Sequence, residues 1–133
     1  MALVRFVNVG LEVTVAGGTS ILRAARKALA PEGSHCGGVC ACTKCHVYIK
    51  AGADSLTPPL ADEAELLRLS GVAVKDDSRL GCQAAIVGDD AVIDVVISEE
   101  SFRQYVDSTS DDDRARVMPL WQGVHHQEFD DPP

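Results

Sequence analysis

Apolar and polar residues alternate from Leu3 to Val7 and again from Leu11 to Val15, which is the period of half-buried strands. Asn8-Val9-Gly10 lies between them and reads as a hairpin turn. Ala16-Gly17-Gly18 interrupts the alternation, and Thr19 or Ser20 supplies a helix cap. The helix expected after it covers Ile21 to Leu29. Its apolar face is Ile21, Leu22, Ala25, Ala28 and Leu29, and Pro31 ends it. His46 to Lys50 reads as a short strand. Residues 51–59 are irregular, with Pro58-Pro59 delaying any helix. A second helix is expected over Ala61 to Leu69, stopped by Gly71. Gln83 to Val87 and Ala91 to Ile97 read as two strands around Gly88-Asp89-Asp90. The pattern predicts an α+β domain with a mixed sheet of four or five strands and one helix packed across it.

Composition sharpens the picture where it is uneven. A chain of 133 residues with 46% hydrophobic content is expected to form one globular domain. Its net charge of −8 disfavours a nucleic-acid partner. Residues 1–98 hold nine basic against eleven acidic side chains, whereas residues 99–133 hold three against nine. This division suggests a domain over 1–98 and an acidic C-terminal extension over 99–133. Asp111-Asp112-Asp113 reads as a solvated charge run. Yet Phe102, Tyr105, Trp121 and Phe129 also lie in the extension, and disordered tails are poor in aromatics. We therefore expect a short helix over Ser98 to Val106, and packing of Val117 to Trp121 onto the domain or onto another subunit. No apolar run approaches the ~20 residues of a membrane span. The N-terminus lacks the pattern of a secretion signal, so the thiols are expected in a reducing cytoplasm.

Those thiols are the chemical centre of the sequence. Cys36, Cys40, Cys42 and Cys45 crowd into one stretch, and Cys82 stands alone in Arg79-Leu80-Gly81-Cys82-Gln83. Clustered sulfurs with a distant extra one are the pattern of a thiolate-held 2Fe-2S cluster. The plant-type C-x4-C-x2-C spacing is not met by any choice of these cysteines. Cys36-x5-Cys42-x2-Cys45 fits a related pattern, and leaves Cys40 over. Such a cluster is anionic and needs backbone N–H donors around its sulfurs. Gly37, Gly38 and Ala41 let a loop curl that closely, and Gly81 serves the same need beside Cys82. The alternatives fit less well. An odd, sparse set of five cysteines is a poor disulfide scaffold. Zinc sites usually show two short cysteine pairs, whereas Cys82 has no near neighbour. His35 and His46 adjoin cysteines and are not spaced as Rieske ligands.

The run CGGxxxCxxCHVY from Cys36 to Tyr48, followed by Arg79-Leu80-Gly81-Cys82-Gln83, resembles the 2Fe-2S ferredoxins of the adrenodoxin/putidaredoxin type. The resemblance covers about Met1 to Ile97. It implies a β-grasp fold and a 2Fe-2S cluster ligated by Cys36, Cys42, Cys45 and Cys82. It also implies one-electron transfer from a ferredoxin reductase to an oxidase or monooxygenase, such as a haem-thiolate enzyme. In that family the helix after the cluster loop is acidic and docks partners, a role that falls here on Asp62, Glu63 and Glu65. The family usually has a small or uncharged residue where Lys44 stands; Lys44 reads as a solvated side chain, with a cation there favouring the reduced, more negative cluster as the alternative. Cys40 reads as a small buried hydrophobe, His46 as a hydrogen-bonding strut, and His125-His126 as surface residues. No catalytic constellation is present in the sequence, so an electron-transfer protein is expected rather than an enzyme. The competing class is a non-carrier that holds the cluster for sensing, cluster assembly or protective complex formation.

Overall fold

The computed structural model describes residues 1–33, 45–59, 61, 63–65, 77–88 and 90–124. Its strands are β1 (Ala2–Phe6), β2 (Leu11–Val15), β3 (His46–Ala51), β4 (Ser78–Leu80) and β5 (Val92–Ile97). Its helices are α1 (Ile21–Ala28), α2 (Glu99–Ser108) and α3 (Asp111–Val117). Residues 61 and 63–65 are also helical. Residues 66–71, where the second expected helix was to end, lie outside the described residues.

The five strands form one mixed sheet in the order β2-β1-β5-β3-β4. β1 runs parallel to β5, and the other pairs are antiparallel. Ala2, Val4 and Phe6 of β1 point into the core, where Ile93 and Val95 of β5 join them. On the other face Arg5 holds Asp94 through two hydrogen bonds of 2.6 and 2.9 Å. α1 covers the core with Ile21, Ala24 and Ala25, which are fully buried. Ser20 caps it, its hydroxyl accepting from the Arg23 N–H at 3.1 Å. The helix ends before Pro31, at Leu29, whose φ of 60° lies in the left-handed region. This is the α+β, β-grasp arrangement expected from the sequence.

Two expectations need correction. Gln83 to Val87 is not a strand. Ala85 and Ile86 form only isolated bridges, to Ser20 and Leu56. Their amides bond to a hydroxyl and a loop carbonyl of Thr57 and Thr19 instead of to a neighbouring strand. The fifth strand is β4, three residues built around a charged Arg79. Asn8 is also more than a turn residue. It is fully buried, accepts from Ile97 N–H at 3.0 Å and donates to Ile97 O at 2.9 Å and Gly123 O at 3.2 Å. It therefore joins the β1–β2 connection to both β5 and the C-terminal segment.

The extension shares the main core. Phe102 and Val117 belong to the same apolar cluster as Phe6, Val47 and Val95. Trp121 stacks on Phe102 with ring centroids 4.1 Å apart, a pairing worth about 1 kcal/mol beyond area burial. The expected helix begins at Glu99 under a Ser98 cap and runs to Ser108, two residues past Val106. Asp111-Asp112-Asp113 forms the first turn of α3, where negative charge suits the helix dipole. Replacing Asn8 with Ala should strand the Ile97 groups and free Gly123. We expect a loss of about 2 kcal/mol in denaturant unfolding, since unpaired buried groups carry a desolvation cost of that order.

Candidate cluster site

The β3–β4 ladder decides where the distant cysteines meet. His46 pairs with Leu80 in that ladder. One step further, the Gly81 N–H donates to Cys45 O at 2.9 Å. Cys45 and Cys82 therefore emerge side by side at the end of two paired strands. The neighbouring Cys82 thiol together with burial pushes the Cys45 thiol up. Cys45 is fully buried, whereas Cys82 is half-buried and accepts a 3.5 Å hydrogen bond from Gln83 Nε2.

The 81–84 turn is itself clamped. Gln83 and Ala84 N–H groups return to Leu80 O, at 2.9 and 3.1 Å. The first N–H groups of α1, which have no partner inside the helix, donate to this turn. Ile21 N–H reaches Ala84 O at 2.9 Å and Leu22 N–H reaches Gly81 O at 3.0 Å. Leu22, Leu80 and Cys45 then form a small apolar cluster against Cys82.

Two carboxylates stand behind this site. Glu63 is buried and receives both Arg79 Nε at 2.7 Å and Arg79 Nη2 at 3.2 Å. Its Oε2 also accepts from the Leu80 N–H at 3.0 Å, and Arg79 Nη1 donates to Thr57 O at 2.7 Å. Glu63 was expected on a docking surface. With 2% of its surface exposed, it is instead the internal anchor that ties the 63–65 turn to β4. Glu65 is exposed, and Asp62 lies outside the described residues. The second carboxylate, Glu32, is fully buried, and neither of its oxygens has a hydrogen-bond partner among the described residues. Burial pushes its carboxyl well above the usual range, opposed by Arg26 and assisted by Cys82. A Cβ on Gly81 would collide with Glu32 Oε2 and stand 3.2 Å from Cys45 O. A side chain at position 81 would have to displace the buried Glu32 carboxylate. Nothing in the pattern around Pro31-Glu32-Gly33 signals a buried acid, because its burial depends on a turn about fifty residues away.

His46 is the strut expected of it, with Nε2 and Ser78 Oγ 2.8 Å apart in a buried contact. Cys36, Cys40, Cys42 and Lys44 lie outside the described residues, as do His35 and His125-His126. The described half of the donor set fits an iron–sulfur group. Two soft sulfurs converge from separate elements in a site walled by Leu22 and Leu80, and the backbone closes on them through a glycine.

Comparison with known proteins agrees. The family described as the 2Fe-2S iron-sulfur cluster binding domain matches residues 6–87, and the chain belongs to that family. A 2Fe-2S ferredoxin of Haemophilus influenzae is 35% identical over 86 residues, covering 65% of this chain and 75% of the relative. The crystal structure of the ISC-like [2Fe-2S] ferredoxin FdxB from Pseudomonas putida is 37% identical. It covers 71% of this chain and 91% of its own, with a TM-score of 0.62. Reduced putidaredoxin from Pseudomonas putida, as a cysteine-to-serine variant, is 30% identical over 71% of this chain and 94% of its own. Its TM-score is 0.56. The chain is a 2Fe-2S ferredoxin of the adrenodoxin/putidaredoxin type, an electron carrier rather than an enzyme.

Proposed function

We propose that this ferredoxin accepts one electron from a ferredoxin reductase and delivers it to an oxidase or monooxygenase. The cluster is held by Cys36, Cys42, Cys45 and Cys82. The observation that carries this is the meeting of Cys45 and Cys82, far apart in sequence, at the end of the β3–β4 ladder. When bound, the cluster supplies a one-electron redox couple. The chain's part is to hold four deprotonated thiols in place and exclude water from the buried side. Putidaredoxin has been solved in a covalent complex with putidaredoxin reductase, and a reductase is the corresponding electron donor here. A reducing, cytoplasmic setting accords with this use of thiols. No described helix is long and apolar enough to cross a membrane.

Partner contact is assigned to the exposed Glu65, to Asp62, and to the acidic first turn of α3. Val117 is buried in the core, so truncating the extension would disturb the fold. Charge is better removed by substitution. With Asp111→Asn and Asp112→Asn, reduction by a ferredoxin reductase should slow at low salt and become less salt-dependent. An unchanged salt slope would remove α3 from the docking surface. The test of the carrier role is reduction by a ferredoxin reductase followed by rapid reoxidation by an acceptor enzyme. A stable stoichiometric complex without turnover of electrons would instead support the protective role.

A further inference from the structure

We propose that the first turn of α2 and its cap position the cysteine-bearing stretch 34–44 by fastening the residues at its two ends, Ser101 holding Gly33 and Ser98 holding His46. The inference rests on the reading that Cys36, Cys42 and Cys45 are ligands. On the upstream side, Gly33 N–H donates to Ser101 Oγ at 2.7 Å in a buried bond. On the downstream side, Ser98 N–H donates to His46 O at 3.3 Å. Ser98 and Ser101 are joined, since Ser98 Oγ accepts from Ser101 N–H at 3.1 Å. One helical turn thus links the residue three before Cys36 with the residue that follows Cys45.

The fit at Gly33 is close. A Cβ there would stand 2.5 Å from Ser101 O and 2.7 Å from Gln104 Cβ, so α2 lies directly against the backbone. The preceding residue is held from the other side, by Arg26 Nη1 donating to Glu32 O at 3.0 Å, while the Glu32 side chain abuts Gly81. Ser101 is fully buried, and α2 is weighted down by the Phe102–Trp121 stack. Three residues span at most about 10 Å, so fixing Gly33 restricts where Cys36 can stand. Ser98 and Ser101 both fall beyond the matched family region of residues 6–87. The extension therefore contributes to the redox site without supplying a ligand to it.

The test compares Ser101→Ala with Ser110→Ala in the full-length, cluster-loaded chain. Ser110 caps α3, accepting from Asp113 N–H at 3.2 Å, and touches neither Gly33 nor His46. Both variants lose one hydroxyl and one hydrogen bond. Ser101→Ala should release iron to a chelator about fivefold faster, the factor expected for one lost hydrogen bond. It should also alter the electron paramagnetic resonance signal of the reduced cluster. Ser110→Ala should match the parent in both. Equal release rates and unchanged spectra in the two variants would overturn the proposal. Should Ser101→Ala fail to fold, hydrogen exchange in the unaltered protein decides. Slow exchange of the Gly33 amide, comparable with β3, supports the clasp, and exchange at the rate of an exposed amide refutes it. A chain that binds no cluster would refute the ligand reading instead, and the Gly33 exchange would remain informative.

Discussion

Replacing Cys45 or Cys82 with Ala should yield a colourless protein whose iron and acid-labile sulfide fall to background. Cys36→Ala and Cys42→Ala should do the same, while Cys40→Ala should keep the full complement. The physical reason is that a cluster bound by four thiolates has no spare donor. Cys45 and Cys82 lie just beyond the end of one strand pair, so neither can be replaced by a neighbouring side chain without disturbing the ladder at His46 and Leu80. Because metal binding is coupled to folding, the four ligand variants should also unfold at lower temperature. Each kcal/mol lost lowers the midpoint by roughly 3–6 °C in a domain of this size. Atomic absorption and thermal unfolding monitored together would check this. Loss of iron from the Cys40 variant would require a different ligand set.

Breaking the buried Arg79–Glu63 pair should have the next largest effect. Glu63 is 2% exposed and Arg79 11% on their side chains, and they meet at 2.7 Å. Arg79→Leu leaves a carboxylate in the interior with one backbone donor, Leu80 N–H, as its remaining partner among the described residues. Removing one member of such a pair costs about 3–5 kcal/mol, whereas replacing both with apolar residues of similar volume is often close to neutral. Arg79→Leu alone should therefore lower the unfolding midpoint by roughly 9–30 °C, at about 3–6 °C per kcal/mol for this chain length. Adding Glu63→Leu should recover much of it. The cluster should be released faster in the single variant, because β4 leads directly into Gly81 and Cys82. A single variant as stable as the parent would show that the pair does not anchor β4.

The parts of the molecule legible in sequence are those set by local pattern. β1 and β2 follow strict alternation, α1 has a serine cap and one apolar face, and β5 is a run of branched residues. The packing of Val117 and the partly buried Trp121 against the core was signalled by aromatics in an otherwise acidic segment. What escaped depends on residues far apart. β4 is three residues long with a charge in the middle, and its burial comes from Glu63 reaching across. Glu63 reads in the sequence as one of three docking acids, because its sequence neighbours carry the same signal whether or not an arginine waits opposite. Gln83 to Val87 has strand composition, but its amides are taken by Thr57 and Thr19. Glu32 and Ser101 carry no local mark at all. For the site, the spacing of the cysteines suggested the cofactor, and the structure adds the meeting of Cys45 and Cys82.

The central claim is that one electron resides on a cluster held by these sulfurs. A reductive titration of the anaerobic, full-length protein, followed by visible absorption and electron paramagnetic resonance, tests it most directly. The expected result is uptake of one electron per chain, with bleaching of the visible bands and appearance of a paramagnetic signal from one spin. Uptake of no electrons, with zinc in place of iron, would contradict it.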